Sequence, residues 1–376
     1  MKRIIYLDNA ATSYPKPKQV ARAVAKTIET IAGSPGRGAH RQAITTSRIL
    51  FNTRFDIAKL LKLKNPERII FTKNATEGIN IALKGLLKKG DEVAISALEH
   101  NAVIRPLTAL KKKGVHARYA PLDKNGLPDP SRLPKVKMLI TTGASNVTGA
   151  IAKIKALGRA CKAKKILFFV DAAQTAGSIP FDTSNIDILA CTGHKGLLGP
   201  QGTGFVWFAE GLSPMPLLDG GTGSESERAD MPSYWPDRFE AGTMNTPGIA
   251  GLHEGIKYLL TKGIKTVRDH EMALNKIALE MLMNDSRIIV YPPFDTRKRA
   301  SLISFNVKGM DPAEVGNLLD RRGIAVRVGL HCAPHAHKFT ETFPEGTIRI
   351  SPGALTTQAD IKRFTQELHK ILKCRR

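Results

Sequence analysis

The sequence predicts an α/β protein in which a mostly parallel sheet is followed by a smaller α+β unit. The first observation is alternation, because stretches of helical periodicity in residues 16–208 are separated by short apolar runs. Short buried runs between helices are typical of parallel strands that are covered on both faces. The second observation is the segment 211–245, which is rich in Gly, Pro and Ser and shows little periodicity. The third is the remaining chain, where short strand-like runs and helical patterns follow one another.

The first part is predicted to contain five helices and six strands. The helices are expected near residues 16–33, 41–62, 76–89, 101–113 and 151–164. The strands are expected at 69–71, 93–95, 138–140, 166–170, 186–190 and 205–208. Turns are predicted at Gly90, Gly114 and Gly126 between these elements.

The second part is predicted to begin with one long helix over residues 246–284. Strands are expected at 288–290, 302–307, 324–328 and 347–351, with helices at 311–322 and 357–373. Gly323 is placed to end the first of these two helices, since glycine is the common residue just past a helix C-terminus.

Charge is the least ordinary property of the composition. The chain has 376 residues, of which 57 are Lys or Arg and 33 are Asp or Glu, giving a formal net charge of +24. A hydrophobic content of 42% excludes wholesale disorder. The basic residues form short clusters without the interleaved aromatic residues that stack on nucleic-acid bases. We therefore expect a solvated basic surface rather than a nucleic-acid groove, while anionic ligands or partners remain open.

The four cysteines do not form the pattern of a disulfide framework, and none lies in a CxxC pair. The sequence therefore predicts no structural metal site. The N-terminal residues hold only four apolar residues in a row, too few for a signal-peptide core, and no apolar run approaches the ~20 residues of a membrane span. We expect a cytoplasmic protein with free thiols and no membrane association.

An acid and a lysine follow two neighbouring predicted strands. Asp171 ends the strand over 166–170, and Lys195 lies in a Gly-rich turn after the strand over 186–190. Taken alone, Asp171 could equally well be a helix N-cap. For Lys195 alone, a surface lysine is the better interpretation, because the chain has 57 basic residues. As a pair they are what pyridoxal phosphate requires, namely an amine for its aldehyde and a carboxylate for its ring nitrogen. Ligands of open α/β sheets bind at the carboxyl ends of strands, where both groups are expected.

Two further segments carry candidate chemistry. The segment 71–80 turns from a strand into a helix through Asn74, Ala75 and Thr76, and free backbone N–H groups at such a helix start suit a phosphate. The alternative is a capping box formed with Glu77. Cys332 follows a strand end in a loop with an arginine and a histidine, and nearby positive charge favours a thiolate. The alternative is a packed core cysteine.

Seven motifs, taken in order along the chain, resemble those of the class V aminotransferases, a group of fold-type I enzymes that use pyridoxal phosphate. The similarity is greatest to the cysteine desulfurase and selenocysteine lyase family. The motifs are Tyr6-Leu7-Asp8-Asn9-Ala10-Ala11-Thr12, Glu99-His100-Asn101, Ser145-Asn146-Val147-Thr148-Gly149, Asp171-Ala172-Ala173-Gln174, Thr192-Gly193-His194-Lys195, Glu240-Ala241-Gly242-Thr243 and the segment from Arg327 to Ala333. One departure is Leu330-His331, where scaffold-linked members often carry His-His before the cysteine.

The resemblance implies a fold and two domains. The fold is that of the fold-type I pyridoxal phosphate enzymes, with a mostly parallel seven-stranded sheet in a large domain and a smaller α+β domain. The large domain is expected to span residues 16–255. The small domain is expected to combine residues 1–15 with residues 256–376. A homodimer is also implied, with active sites that share residues across the two-fold axis.

The resemblance also implies roles for individual residues. Lys195, Cys332 and His100 are expected to be catalytic, with Lys195 carrying the cofactor and His100 on its ring face. The residues expected to hold the cofactor are Ala75, Thr76, His100, Asn146, Asp171, Gln174, Thr192, His194, Lys195 and Thr243, the last contributed by the partner subunit. The residues expected to bind substrate are Asn9, Arg37, Asn146 and Arg327, with His40 in the same loop as Arg37.

The implied reaction converts L-cysteine to L-alanine and leaves the sulfur on Cys332 as a persulfide, from which a sulfur-acceptor protein could take it. Selenocysteine lyase, another C–S lyase and a class V aminotransferase are alternatives that use the same cofactor. A nucleic-acid-binding protein on a degenerate enzyme fold is the alternative from another class, and the net charge is its only support.

Overall fold

The computed structural model describes residues 4–31, 33–36, 38 and 40–373. Three sheets, of seven, four and two strands, and the helices around them make up most of the regular structure of these residues. The helices are α1 (Lys18–Thr30), α2 (Arg41–Leu61), α3 (Ala75–Leu86), α4 (Asn101–Lys111), α5 (Ile154–Ala163), α6 (Thr246–Lys262), α7 (Ile264–Met283), α8 (Pro312–Asp320), α9 (Pro334–Phe339) and α10 (Gln358–Lys373). The strands are β1 (Ile5–Tyr6), β2 (Ile69–Thr72), β3 (Glu92–Ile95), β4 (His116–Tyr119), β5 (Met138–Thr142), β6 (Leu167–Asp171), β7 (Ile188–Thr192), β8 (Gly204–Phe208), β9 (Ile288–Val290), β10 (Ile303–Val307), β11 (Ile324–Ala325), β12 (Arg327–Gly329) and β13 (Thr347–Ile350).

The larger sheet has seven strands in the order β2-β8-β7-β6-β5-β3-β4. Four of its neighbouring pairs are parallel, and β8 runs antiparallel to both of its neighbours. The prediction of a mostly parallel seven-stranded sheet is therefore confirmed. Because β6 and β7 are parallel neighbours, their carboxyl ends, Asp171 and Thr192, come to the same edge of the sheet.

Two hydrophobic cores cover the two faces of this sheet. Successive side chains of a strand point to opposite faces, so Phe168 and Val170 pack in one core and Phe169 in the other. In β7, Ile188 and Leu189 likewise pack in different cores. This burial on both sides explains why these strands are continuous apolar runs in the sequence.

The smaller sheet is antiparallel, with the order β12-β13-β10-β9, and it has a separate core. The N-terminal strand β1 pairs in parallel with β11. The strand predicted over 324–328 is in fact two, since β11 pairs with β1 and β12 pairs with β13. The domain boundaries at 15/16 and 255/256 stay predictions.

The structure also differs from the predicted elements at other points. The helix predicted over 246–284 is two helices, because Gly263 has a φ of 81° that a helix cannot contain. The strand β4 was not expected, since its four residues are all exposed and form no apolar run. No helix within the described ranges is long and apolar enough to cross a membrane.

Candidate active site

A cavity of about 240 Å³ opens at the carboxyl ends of β6 and β7. We call the part lined by α3, α4, β6 and the turn after β7 its large-sheet side. The part lined by β12, β13 and the loop around Cys332 is its small-sheet side. Eleven residues proposed from the sequence line this one cavity: Ala75, Thr76, His100, Asn146, Asp171, Gln174, Thr192, His194, Lys195, Arg327 and Cys332.

Asp171 and Lys195 lie together on the large-sheet side. The Asp171 carboxyl is buried, with 4% of the residue exposed, and its Oδ1 accepts a hydrogen bond from the Ala173 amide at 3.0 Å. Burial raises the pKa of Asp171, while the Ala173 hydrogen bond and the charge of Lys195 lower it. Burial also lowers the pKa of Lys195 to about 8, with the positive charges of Arg349 and Arg327 acting in the same direction. About a tenth of Lys195 is therefore the uncharged, nucleophilic amine at pH 7, a much larger fraction than for an ordinary lysine.

The start of α3 forms one end of the cavity. Asn74 caps this helix, since its Oδ1 accepts from the Glu77 amide at 3.0 Å and Glu77 Oε2 accepts from the Lys73 amide at 2.6 Å. Asn74 therefore caps the helix, and Glu77 bonds the residue before the cap rather than completing a capping box with Asn74 itself. The first-turn amides of Ala75 and Thr76 are left without a helical partner. Opposite them, Thr192 Oγ1 and His194 Nδ1 are buried without a hydrogen-bond partner among the described residues. These free donors and acceptors suit a phosphate group.

Two side chains just before α4 also belong to the site, the half-buried His100 and the buried Glu99. His100 caps α4, and its Nδ1 accepts from the Ala102 amide at 3.0 Å. Burial, reinforced by the charge of Lys195, lowers the pKa of His100 to about 4, so the ring is neutral at physiological pH. Glu99 is fully buried behind it, and burial raises its pKa to about 8 despite hydrogen bonds from Ser96 and the Thr142 amide.

The loop that carries Cys332 has an unusual backbone. His331 and Cys332 have φ values of 47° and 59°, in the left-handed region that costs non-glycine residues about 1–2 kcal/mol each. The Cys332 carbonyl accepts from the Asn101 amide at 2.9 Å, and the His331 carbonyl accepts from Asn146 Nδ2 at 2.7 Å. Arg327 Nη2 donates toward Cys332 Sγ over 3.6 Å. The thiol is thus held inside the cavity and is also exposed to solvent.

The imidazole of His331 also holds this loop in place, through a contact with β13. His331 is 2% exposed, and its Nε2 lies 3.0 Å from Thr347 Oγ1 on β13. Burial lowers the pKa of His331 to about 2, so it is a neutral hydrogen-bonding group. His337 of α9 packs beside it, with ring centroids 5.5 Å apart.

Arg349 is a residue of the site that the sequence analysis missed. It is 1% exposed yet lines the cavity, and its Nε has no hydrogen-bond partner among the described residues. Its Nη2 donates to Asp8 Oδ1 at 2.8 Å and its Nη1 to the Asn146 carbonyl at 2.9 Å. A fixed, buried guanidinium in a cavity with a free N–H is suited to a carboxylate ligand.

Three of the proposed residues lie elsewhere, and a fourth is not among the described residues. Asn9 lines a separate cavity of about 40 Å³ that Lys195 and Gln174 also border. Thr243 is exposed and lines a cavity of about 560 Å³ beside α2, away from Lys195. His40 caps α2, its Nδ1 accepting from the Ala43 amide at 3.4 Å. Arg37 lies outside the described residues.

The chain resembles known proteins over almost its whole length. The sequence model of the aminotransferase class-V family matches residues 5–364. A probable cysteine desulfurase of Methanothermobacter thermautotrophicus is 34% identical, covering 98% of this chain and 94% of that protein. A cysteine desulfurase of Serratia proteamaculans is 31% identical, covering 98% of this chain and 94% of that protein.

Solved structures agree with this likeness. The apo structure of a cysteine desulfurase from Thermococcus onnurineus superposes with a TM-score of 0.91 at 30% identity, covering 99% of this chain and 95% of that chain. An Escherichia coli cysteine desulfurase, solved with an S-sulfonic acid, gives 0.86 at 26% identity, covering 99% and 95% of the two chains. The chain therefore belongs to the class-V aminotransferase family, an enzyme family that depends on pyridoxal phosphate, and within it to the cysteine desulfurases.

Proposed function

We propose that this enzyme converts L-cysteine to L-alanine and transfers the sulfur to Cys332 as a persulfide. The observation that carries the proposal is the presence of the Cys332 thiol in the cavity that also contains Lys195 and Asp171. A lysine and an acid alone fit every reaction of the family. The thiol, placed 3.6 Å from the Arg327 guanidinium, is the feature that an aminotransferase would not need.

The residues of the large-sheet side fit pyridoxal phosphate. Thr192 Oγ1, His194 Nδ1 and the first amides of α3 are free to bind its phosphate. Asp171 is suited to its ring nitrogen, and Lys195 to its aldehyde. Bound there, the cofactor supplies an electron sink for the electron pair left when the substrate loses its α-proton.

Lys195 is suited to move protons as well as to hold the cofactor. With a pKa lowered to about 8, its Nζ can accept a proton from the substrate α-carbon and later return one to the carbon fragment. The neutral ring of His100, fixed by the Ala102 amide, provides an uncharged surface beside it. We expect Gln174, whose Nε2 donates to the Ala10 carbonyl at 2.9 Å, to keep that wall of the cavity in place.

The two arginines are suited to different parts of the substrate. Arg349 is buried and has an unpaired N–H, so we assign the substrate carboxylate mainly to it. Arg327 lies against the sulfur of Cys332 and can stabilise negative charge there. Asn146, which was predicted to bind substrate and lines the same cavity, donates to the His331 carbonyl and so links the substrate site to the cysteine loop.

The sulfur transfer itself balances without an external oxidant. The Cys332 thiolate attacks the sulfur of the substrate, a sulfur–sulfur bond forms and the carbon–sulfur bond breaks. The electron pair of that bond leaves with the carbon fragment, which is protonated and ends as alanine. Cys161 and Cys191 cannot replace Cys332, because both are buried, and burial raises the pKa of each thiol above its usual range.

We also propose that the enzyme is a homodimer in the reducing cytosol. Ile44, Phe51 and Phe55 leave an exposed apolar stripe on α2, with 45%, 57% and 48% of each residue accessible. Ile44 and Phe51 line the cavity that holds Thr243, the residue expected to reach the partner's cofactor. A second copy seated on this stripe would bury it, and Phe51→Asp should shift the molecular mass measured by light scattering toward that of a monomer.

The variant Cys332→Ala tests the proposed reaction, with Cys161→Ala as a matched control. We expect loss of persulfide formation from L-cysteine and of most alanine production, while the visible absorbance of bound cofactor is unchanged. Cys161→Ala should retain both. Full turnover by Cys332→Ala in the presence of dithiothreitol would reject the role of Cys332, and a requirement for a keto acid would indicate an aminotransferase.

A further inference from the structure

A second cavity adjoins Lys195 and has no part in the reaction as described so far. It is the cavity of about 40 Å³ between the turn after β7, the helix α7 and residues 300–302. Lys195 lines both this cavity and the active-site cavity, so its side chain belongs to a wall that the two share. We call the smaller one the rear cavity.

Glu271 is the acid of the rear cavity. Of the described residues that line this cavity, only Glu271 and Lys195 have ionisable side chains. Glu271 is 3% exposed, and its Oε2 is buried without a hydrogen-bond partner among the described residues. Arg268, on the same helix, acts on Glu271 through its charge, but its Nη2 donates to the Thr296 carbonyl at 2.9 Å.

A carboxyl group in this position keeps its proton. The ionised form would lose its hydration without gaining a partner, so burial favours the neutral acid. In agreement, burial raises the pKa of Glu271 to about 8, with the charge of Arg268 opposing the shift. Glu271 therefore stores a proton at neutral pH within the cavity that Lys195 also lines.

The rear cavity has room for water. A water molecule needs roughly 10–15 Å³ of such space and two to four polar partners. The cavity offers about 40 Å³, and the hydroxyls of Ser178 and Ser301 line it together with Lys195 and Glu271. Ser301 Oγ donates to the Pro352 carbonyl at 2.7 Å and so keeps its lone pairs as acceptors. Water between Glu271 and Lys195 can therefore carry a proton from one to the other.

The proposed reaction needs a second proton at Lys195. Lys195 takes one proton from the α-carbon of the substrate. The carbon fragment takes up two protons, one at the carbon that has lost the sulfur and one at the α-carbon. The count is balanced by the proton that Cys332 loses when it becomes a thiolate, and that thiol is exposed to solvent. Lys195 must therefore be protonated once more in each turnover.

The other groups of the active-site cavity are poorly suited to supply this proton. Burial lowers the pKa of His100 and of His194 to about 4, so neither ring carries a spare proton near neutral pH. The two arginines of the cavity do not release protons in proteins. Asp171 is assigned to the ring nitrogen of the cofactor, and Glu99 lines neither cavity. The acid of the rear cavity is the remaining source.

We propose that Glu271 is a proton-relay residue that returns a proton to Lys195 through water in the rear cavity. The inference rests on the proposed function, because it requires Lys195 to move protons. After Lys195 has given its first proton to the carbon fragment, the Glu271 carboxyl protonates water and that water protonates the Lys195 amine. Lys195 then delivers the second proton. Glu271 regains a proton from solvent, to which Cys332 has released one, and no further reagent is consumed.

A single turnover separates this role from a structural one. Holoenzyme in excess is mixed with ³⁵S-labelled L-cysteine, and both the label on Cys332 and the released alanine are timed by rapid quenching. In Glu271→Gln the label should reach Cys332 at the wild-type rate, whereas alanine release should be about fivefold slower. This is less than the ~100-fold effect of an acid that acts directly, because solvent water can replace a relay. Glu280→Gln, an exposed glutamate of the same helix, is the matched control and should match wild type in both rates.

The hydrogen of the substrate α-carbon gives a second readout. In D₂O, Lys195 would hold this hydrogen beside two deuterons, so without exchange about a third or more of it would reach the methyl group of alanine. Exchange through Glu271 should keep the share well below this in the wild type. Glu271→Gln should raise it about twofold or more, as measured by mass spectrometry.

The resting holoenzyme provides a readout without turnover. The infrared difference spectrum of wild type minus Glu271→Gln at pH 7 should contain the carbonyl band of a protonated carboxyl. This band should be replaced by carboxylate bands as the pH rises above about 8. Glu99, whose pKa is also raised to about 8, is present in both proteins and cancels in the difference.

The outcomes separate the relay from the proposed function. If wild-type enzyme formed no alanine, or if no label reached Cys332, the proposed function would be rejected and this inference with it. Normal turnover with carboxylate bands at pH 7 would reject only the relay, as would equal slowing of labelling and alanine release in Glu271→Gln. Wild-type alanine that keeps about a third or more of the α-hydrogen in its methyl group would also reject it, whether or not the variant folds.

Discussion

The two sides of the active-site cavity are built in different ways. On the large-sheet side, Asp171 and Lys195 follow adjacent parallel strands and lie only 24 residues apart in the chain. On the small-sheet side, Cys332 is held by hydrogen bonds from distant segments, and two consecutive residues are left-handed. The first side places an acid and a lysine at the ends of two neighbouring strands, and the second holds a strained loop with its thiol accessible. Substitutions on the two sides should therefore have different consequences.

The largest expected effect is on the large-sheet side. Lys195→Ala should reduce alanine production by about a thousandfold or more, because no other described lysine lines the cavity. Borohydride treatment with pyridoxal phosphate should add the cofactor to the wild-type chain but not to the variant, as measured by intact mass. Lys16→Ala is the control, since Lys16 also has a pKa lowered to about 8 by burial and bonds Ser13 Oγ at 2.8 Å. Equal labelling of Lys195→Ala and wild type would contradict the assignment.

The next effect compares the two arginines. Arg349→Lys should raise the KM for L-cysteine by about ten- to a hundredfold, because a lysine cannot replace a fork that also bonds Asp8 and Asn146. Arg327→Lys should mainly lower kcat, since Arg327 lies on the sulfur. Steady-state kinetics, together with the free energy of unfolding of each variant, separate the two effects. The same change in KM for both variants would mean that the arginines share the carboxylate.

These two arginines show how far the sequence could predict the site. Asp171 and Lys195 could be proposed because strand ends in an α/β sheet converge on one edge, a rule that needs no tertiary information. Arg349 could not, because Thr347-Ile348-Arg349-Ile350 alternates like a half-exposed strand in which arginine faces water. Its partners, Asp8 and Asn146, are more than 200 residues away in the chain. Only the fold shows that its guanidinium is buried.

The prediction of the fold from the sequence is limited in the same way. Strands of the large sheet that are buried on both faces could be predicted from their apolar runs, whereas β4, exposed along its whole length, left no such signal. Apolar periodicity continues through residues 246–284, so it could not reveal the break at Gly263, where the chain turns with a positive φ. Backbone conformation at a single glycine is not contained in a pattern averaged over several turns.

A smaller effect is expected on the small-sheet side. His331→Ala should lower kcat about tenfold without changing cofactor absorbance, because loss of the bond to Thr347 frees a loop that is strained at two residues. The rate of Cys332 alkylation by iodoacetamide should change in the same variant, which a purely structural defect elsewhere would not produce. His335→Ala, an exposed neighbour on α9, is the control and should leave both unchanged. Unchanged alkylation and kcat in His331→Ala would show that the loop is held by its backbone bonds alone.

The smallest effect concerns a buried acid behind the large-sheet side. Glu271 of α7 is 3% exposed, borders the 40 Å³ cavity with Lys195 and forms no hydrogen bond within the described residues. Burial raises its pKa to about 8, whereas an unfolded chain would give a value of about 4.3. Between these two pH values the folded protein keeps a proton that the unfolded chain has lost. Stability from this group is therefore complete below about pH 4 and falls as the pH rises toward 8.

Glu271→Gln removes this titration while keeping the shape of the side chain. Relative to wild type, the free energy of unfolding of the variant should increase by about 3–4 kcal/mol between pH 5 and pH 8, which chemical denaturation of the holoenzyme at each pH can measure. Glu280→Gln, an exposed glutamate on the same helix, controls for the loss of a carboxylate. Because Glu99 shares the raised pKa and is unchanged in both proteins, its contribution cancels in the difference. A difference that is independent of pH would mean that water in the small cavity, or the nearby Arg268, keeps Glu271 ionised in the folded protein.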